Sequence, residues 1–173
     1  MFFGCTSLIN APLLPATTLA YCCYCHMFEN CSSLISTPSI LPATTLADSC
    51  YSCMFAFCSS LQTTPELPAT NLADSCYTSM FRQTGITNAP NLPATTLAYN
   101  CYSYMFRDCI SLINAPTMSA TIFNTYSCLQ MFYNCTSLNY IKVNFTNWDN
   151  NSSTSSWLYN VSSSGTFVKP NAL

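Results

Sequence analysis

Charged residues are scarce in this sequence: 6% of its 173 residues are Asp, Glu, Lys or Arg, against about 25% in an ordinary soluble domain. Four Lys and Arg residues cannot neutralise a run of phosphates, so we expect no nucleic-acid groove and no attachment to an anionic membrane surface. No apolar run approaches the ~18 residues of a membrane helix, and no basic segment followed by an apolar core marks a secretory signal. Solubility must come from Ser, Thr and Asn.

Groups for catalysis are equally few. The only histidine is His26, and three glycines are too few for a phosphate-cradling loop. Asp48 and Asp74 occupy equivalent positions in a repeat, where Asp is typical of helix capping. We therefore expect no enzymatic activity and no cofactor.

A repeat dominates the rest of the sequence. Each unit follows the pattern M-F-x-x-C-x-S-L-x-x-x-P-x-L-P-A-T-T-L-A-x-x-C-Y-x-x before Met-Phe returns. The intervals between successive Met-Phe pairs are 26, 27, 26, 25 and 26 residues. The pairs start at Met1, Met27, Met54, Met80, Met105 and Met131.

Each unit divides into two parts. After Pro42, apolar residues recur at i, i+1, i+4, i+5, i+8, i+9 and i+12, which predicts an amphipathic helix of about three turns. The segment from Leu61 to Pro65 is too short for a second helix, so it predicts a brief strand. The residues of the predicted helical stripe are Leu46, Ala47, Cys50, Tyr51, Met54, Phe55 and Cys58.

These units predict a stacked architecture. A period near 26 lies in the range of leucine-rich repeats, so the expected fold class is an α/β repeat, a leucine-rich-repeat solenoid with one short strand and one helix per unit. Residues 1–138 hold five to six repeats. Residues 139–173 are a degenerate repeat, either a cap or the start of a further module, in which Trp157-Leu158 stands where a seventh Met-Phe would be. Both ends lead us to expect a longer polypeptide.

Most of the thirteen cysteines form two columns. Thr84 and Ser127 stand in for cysteine once in each column, which favours small buried side chains over sulfur chemistry. Disulfides between neighbouring repeats remain an alternative. The columns are Cys5, Cys31, Cys58, Cys109 and Cys135, and Cys23, Cys50, Cys76 and Cys101.

A zinc site is the other reading of the cysteines. Cys22, Cys25, Cys50 and Cys53 form two C-x-x-C pairs, as in a zinc ribbon. Because Cys50 and Cys53 lie within the predicted helical stripe, and neighbouring repeats carry other residues there, we expect packing and no metal.

The motif F-x-x-C-x-x-L resembles the BspA-like leucine-rich-repeat family, found in surface proteins of gut bacteria and in related phage-associated proteins. Met-Phe takes the Ala-Phe place of that family, and the resemblance covers about residues 1–142. It implies extracellular or cell-surface display, or association with a virion, adhesion to proteins or other cells, and no catalysis. The match is carried by Cys5, Ser7, Leu8, Cys31, Ser33, Leu34, Cys58, Ser60 and Leu61.

Two functions follow. One is a binding module, in which a column of exposed polar residues on the predicted strands contacts a glycan or a peptide edge. The other is a structural spacer in a larger surface protein or phage tail fibre; near-identical repeats favour it. We expect an unknown protein or glycan partner, with no nucleic acid and no membrane insertion. The candidate column is Asn10, Ser36, Thr63, Asn88 and Asn114.

Overall fold

The structure, a computed structural model, describes residues 2–145 and 152–171. Regular elements in these ranges are two short strands and one turn of 3₁₀ helix: β1 is Tyr140–Lys142, the 3₁₀ turn is Ser152–Thr154, and β2 is Thr166–Val168. β1 and β2 pair in parallel, with Ile141 opposite Phe167. No helix in the described ranges has the length and apolar character to cross a membrane.

The repeats stack as parallel coils. Seven single-residue bridges join neighbouring coils, and every one links residues 26 positions apart, such as Asn10 with Ser36 and Thr96 with Ile122. The pairing of β1 with β2 has the same separation. Residues 139–145 and 152–171 therefore continue the stack, whereas residues 146–151 of the predicted terminal segment lie outside the described part.

The predicted helices are wrong. Where the sequence pattern indicated a helix, the structure forms ten residues of consecutive tight turns, here called the turn ribbon. The α/β leucine-rich-repeat solenoid with one helix per unit is therefore also wrong, because the described residues form no α-helix and only two three-residue strands. The ribbon segments are residues 21–30, 48–57, 74–83, 99–108 and 125–134.

Backbone hydrogen bonds explain the ribbon. In residues 48–57, N–H groups alternate between two kinds of partner. Those of Tyr51 and Phe55 donate to carbonyls of the next coil, both at 3.0 Å. Those of Ser52 and Met54 donate to the carbonyl three residues earlier, at 3.1 and 3.2 Å. In a helix all these bonds would be internal and would run four residues back, so half of the ribbon's bonding depends on its neighbour.

The spacing of the apolar residues gives the physical reason. They repeat every 4.0 residues, whereas an α-helix turns every 3.6, so a helix would rotate the stripe by about 40° at each recurrence. Two tight turns use four residues and return the chain to the same face. Ser49, Cys53 and Phe57 have a positive φ, again four residues apart, so every second turn contains a left-handed residue.

Aspartates at the start of the ribbon cap a neighbouring coil. Asp48 Oδ1 accepts the backbone N–H of Asp74 at 3.1 Å, and Asp74 Oδ1 accepts that of Tyr99 at 3.2 Å. The expected capping of a helix is thus replaced by capping between coils.

A ladder of phenylalanines forms the centre of the core. Neighbouring rings lie 5.4–5.8 Å apart between centroids, with their planes within 11° of parallel. Trp157 ends the ladder at 5.9 Å from Phe132. Aromatic stacking adds about 0.5–1.5 kcal/mol per pair to the burial of apolar area. The ladder is Phe2, Phe28, Phe55, Phe81, Phe106 and Phe132.

Coil length decides whether adjacent coils also pair outside the ribbon. Leu14, Leu41, Leu67, Leu92 and Met118 are equivalent positions, at intervals of 27, 26, 25 and 26 residues. Across the two 26-residue intervals the coils pair: Leu41 N–H donates to the next coil at 3.1 Å and Leu92 N–H at 3.0 Å.

The two irregular intervals break this pairing. Among the described residues, no backbone hydrogen bond joins residues 12–19 to 38–46, or residues 59–73 to 85–98. One extra or missing residue moves donors and acceptors out of register, and register in a parallel pair cannot slip without turning side chains to the wrong face. The ribbon bonds are retained at both places, so the stack stays continuous there.

Candidate functional site

The predicted polar column lies at the surface in two parts. Asn10 pairs with Ser36, whose hydroxyl donates to Asn10 Oδ1 at 2.6 Å. Asn88 pairs with Asn114, whose amide donates to Asn88 Oδ1 at 3.3 Å. Thr63 stands between them, and its hydroxyl accepts the backbone N–H of the neighbouring coil's Thr37 instead.

The column is exposed but not continuous. Asn10, Thr63, Asn88 and Asn114 are exposed, whereas Ser36 is half-buried. Asn114 also bridges to Tyr140, which extends the second part by one coil. The gap between Thr63 and Asn88 coincides with the 25-residue interval, where the two coils make no backbone hydrogen bond outside the ribbon.

Apolar side chains flank the polar column, and sequence reasoning missed them. Ile9, Ile35 and Ile113 are 48, 41 and 43% exposed. A regular strand would have turned one of two successive residues inward. Pairing at single residues leaves the chain free to expose both. The absence of alternation in Ile9-Asn10 was the available signal.

Charged side chains lie mainly on the turn ribbon. The Asp108 carboxylate lies 3.4 Å from Arg107 Nε and 3.8 Å from Arg82 Nε. Arg107 also stacks over the ring of Tyr133 at 4.7 Å. The polar column contains no charged side chain, so its contacts depend on neutral hydrogen bonds and on apolar area.

The first cysteine column bonds to the phenylalanine ladder. Cys58 Sγ donates to the Phe28 carbonyl at 3.0 Å, and Cys135 Sγ donates to Phe106 at 3.0 Å. Cys31 and Cys109 make the same bond at 2.9 Å, whereas Cys5 is exposed at the first coil. These thiols act as weak donors in a packed interior.

The second column is packed beside a row of tyrosines. Cys50, Cys76 and Cys101 are buried and Cys23 is exposed. Burial raises the pKa of the Cys50 thiol to about 12. A raised pKa leaves few thiolates, and thiolates are the species that bind metals and react.

The structure places the four cysteines of the alternative zinc site in three different environments. Cys22 and Cys25 form a disulfide with Cα atoms 4.9 Å apart, while Cys50 is buried and Cys53 half-buried. Within residues 2–145 and 152–171, no group of three or more His, Cys, Asp or Glu is placed to hold a metal ion. The ring of His26 contacts the Glu29 carboxylate through Nδ1.

Comparisons with known proteins add no assignment. No protein-family model, no curated protein and no solved structure matches this chain. The candidate site therefore depends on its own geometry: an uncharged column of amides and hydroxyls, flanked by exposed isoleucines, on a stack of coils.

Proposed function

We propose that the chain is a non-catalytic binding module whose polar column contacts a neutral glycan or the edge of an extended peptide. The observation that carries this proposal is the exposure of amide and hydroxyl groups in the two parts of the column, with the exposed Ile9, Ile35 and Ile113 beside three of its members. Amide groups can donate and accept together, which suits sugar hydroxyls and peptide bonds. Repetition along the stack favours several weak contacts over one tight pocket.

Display outside a cell or on a virion belongs to the same proposal. The Sγ atoms of Cys22 and Cys25 lie side by side, which is compatible with a disulfide, a bond that persists in oxidising compartments. Buried cysteines are compatible with such a setting. Burial raises the pKa of Cys58 and Cys128 to about 12, which keeps these thiols protonated and slow to oxidise.

A spacer is the second candidate function. Its support is the ladder of six phenylalanines, which gives the stack the same interior in coil after coil. A spacer requires uniform stacking and no ligand contact.

A glycan array and an adhesion assay on immobilised cells distinguish the two functions. The triple variant Asn10→Ala, Asn88→Ala and Asn114→Ala is expected to lose at least about tenfold in binding, since each lost hydrogen bond is worth about 1 kcal/mol. The matched control replaces exposed Thr44, Thr70 and Thr95 with Ala, outside the column. Equal binding by both variants, or no binding by the parent chain, would favour the spacer.

A further inference from the structure

A cleft opens between two coils at the 25-residue interval. Its volume is about 430 Å³, which is within the range of ligand sites. One wall includes Pro65, Glu66 and Leu67, and the other includes Pro90 and Asn91. It lies where the polar column is interrupted, and its lining residues are not members of that column.

The missing residue accounts for the cleft. Thr84-Gly85-Ile86 replaces the four-residue Cys58-Ser59-Ser60-Leu61 of the preceding coil. A Cβ on Gly85 would lie 2.7 Å from the Ser59 carbonyl oxygen, so only glycine allows this close approach. The backbones of the two coils approach closely at Gly85, while the coils remain unpaired at the prolines that follow.

Backbone groups in the cleft lack the partners that equivalent groups have elsewhere. In the preceding interval Leu41 N–H donates to the Glu66 carbonyl at 3.1 Å, and Glu66 N–H donates to the Ser39 carbonyl at 2.8 Å. The equivalent donors in the cleft are the N–H groups of Leu67 and Asn91, and neither makes a hydrogen bond within the described part of the chain. An N–H without a protein partner is unfavourable unless a water or a ligand accepts a hydrogen bond from it.

The charges and hydrogen-bonding groups of the cleft indicate which kind of ligand fits it. Glu66 is exposed, is the one charged residue of the lining, and forms no ion pair with another described residue. Four lining residues are prolines, which have carbonyls but no N–H. The walls therefore present more acceptors than donors, together with a free carboxylate.

We propose that the cleft binds an extended peptide segment carrying a basic side chain, which pairs through its backbone with Leu67 and Asn91 and places its cation at Glu66. An added strand supplies donors and acceptors at the spacing that the two unpaired edges need. A charge-assisted bond to Glu66 supplies the preference for Lys or Arg. This site is separate from the polar column, so each proposal can fail alone.

The first test uses synthetic peptide pools. Acetylated hexapeptide amides carry Lys, Gln or Glu at the third position and mixtures of Ala, Ser, Thr and Val elsewhere; binding is followed by amide chemical shifts of Leu67 and Asn91. The Lys pool is expected to bind at least about tenfold more tightly than the Gln pool, and the Glu pool not at all. Peptides N-methylated along the backbone are expected to lose binding. Failure of the Lys pool to bind, or equal binding by all pools, overturns the proposal.

Substitutions and one insertion test whether the peptide binds in the cleft. Glu66→Gln is expected to weaken the Lys pool about tenfold, whereas Glu29→Gln, which removes the same charge outside the cleft, leaves it unchanged. One serine inserted between Thr84 and Gly85 restores the 26-residue interval and is expected to close the cleft and abolish binding. If that variant does not fold, Glu66→Gln and the N-methylated peptides decide.

Two outcomes separate this site from the polar column and from glycans. Replacing Asn10, Asn88 and Asn114 with Ala is expected to leave the Lys pool bound as before. Loss of peptide binding in that triple variant would contradict a separate site. Binding of neutral oligosaccharides that depends on Glu66, without peptide binding, would also overturn the proposal.

Discussion

Left-handed residues stand at three fixed places in each of the five ribbon segments, four positions apart, and two more, Ser156 and Asn160, follow the last segment. None of these seventeen non-glycine residues is β-branched. An L residue with a positive φ costs about 1–2 kcal/mol, and β-branching makes that conformation still less favourable. Hydrogen bonds between coils offset the cost. The residues are Cys22, His26, Asn30, Ser49, Cys53, Phe57, Ser75, Ser79, Gln83, Asn100, Tyr104, Asp108, Tyr126, Gln130, Asn134, Ser156 and Asn160.

Substitutions at Gln83 test the free-energy cost of a left-handed residue. Its φ is 55° and it is exposed, so substitutions change little besides the backbone. Gln83→Gly is expected to raise the free energy of unfolding by about 0.5 kcal/mol, the relief of strain less the added entropy of the unfolded chain. Gln83→Val is expected to lower it by about 1 kcal/mol or more. Urea unfolding measures both; the opposite order of the two variants would show that this φ is not left-handed.

Tyr77 carries a buried hydroxyl that makes no hydrogen bond to another described protein group, as do Tyr51 and Tyr102. Its ring stacks 5.7 Å from Tyr51 and 6.0 Å from Tyr102. Tyr77→Phe keeps the stacking and removes a buried polar group, so it is expected to leave stability unchanged or raise it by about 1 kcal/mol. Thermal and urea unfolding check this, with the exposed Tyr21→Phe as control. A loss above about 1 kcal/mol would show that the hydroxyl has a partner.

At the scale of the element, the cysteine and tyrosine columns make stability depend on pH. Burial raises the pKa of nine thiols, including Cys128 to about 12, and of the three buried tyrosine hydroxyls. Unfolded thiols ionise near pH 9 while the folded ones stay protonated. The free energy of unfolding is therefore expected to be constant below about pH 8. It then falls as the pH rises above 9, by about 1.4 kcal/mol per pH unit for a thiol such as Cys128, whose pKa in the folded chain is about 12.

Urea midpoints between pH 7 and 10.5, in a phosphine reductant, measure this slope. Cys128→Ala is expected to reduce the slope of the unfolding free energy against pH by the contribution of one thiol. Replacement of the exposed Cys23 with Ala is expected to leave the slope unchanged. A flat profile, or equal effects of the two variants, would show that the column thiols ionise freely in the folded chain.

The ribbon also shows which features of the fold can be predicted from the sequence. The residues placed on the apolar stripe, such as Met54 and Phe55, are buried, because burial follows from the recurrence of apolar residues whatever the backbone does. The predicted helix is wrong because the apolar residues repeat every 4.0 residues, whereas a helix turns every 3.6. Over twelve residues the difference adds up to about 120°, and with the absence of β-branched residues at every fourth position it was the signal for turns.

At the scale of the whole molecule, coil length governs how the stack is held together. Intervals of 26 residues allow pairing on both the ribbon and the bridged side. The 27-residue interval keeps the ribbon and the bridge of Asn10 with Ser36 and loses the pairing that would follow it, and the 25-residue interval retains the ribbon alone. The irregular intervals were visible in the sequence. The cleft at the 25-residue interval could not be predicted from the sequence, because its position depends on which hydrogen bonds remain after the register changes. The column at Asn10 and Asn88 was placed on the surface from sequence, but its interruption was not.

Each coil thus relies on its neighbours for half of its ribbon bonds, as expected for a quasi-one-dimensional stack. The most direct test of this account is a through-hydrogen-bond NMR coupling from the Tyr51 amide nitrogen. The account predicts a coupling to the Cys76 carbonyl carbon in the next coil, across the 3.0 Å bond. A coupling to Ala47, four residues earlier in the same coil, would restore the helix and contradict the account.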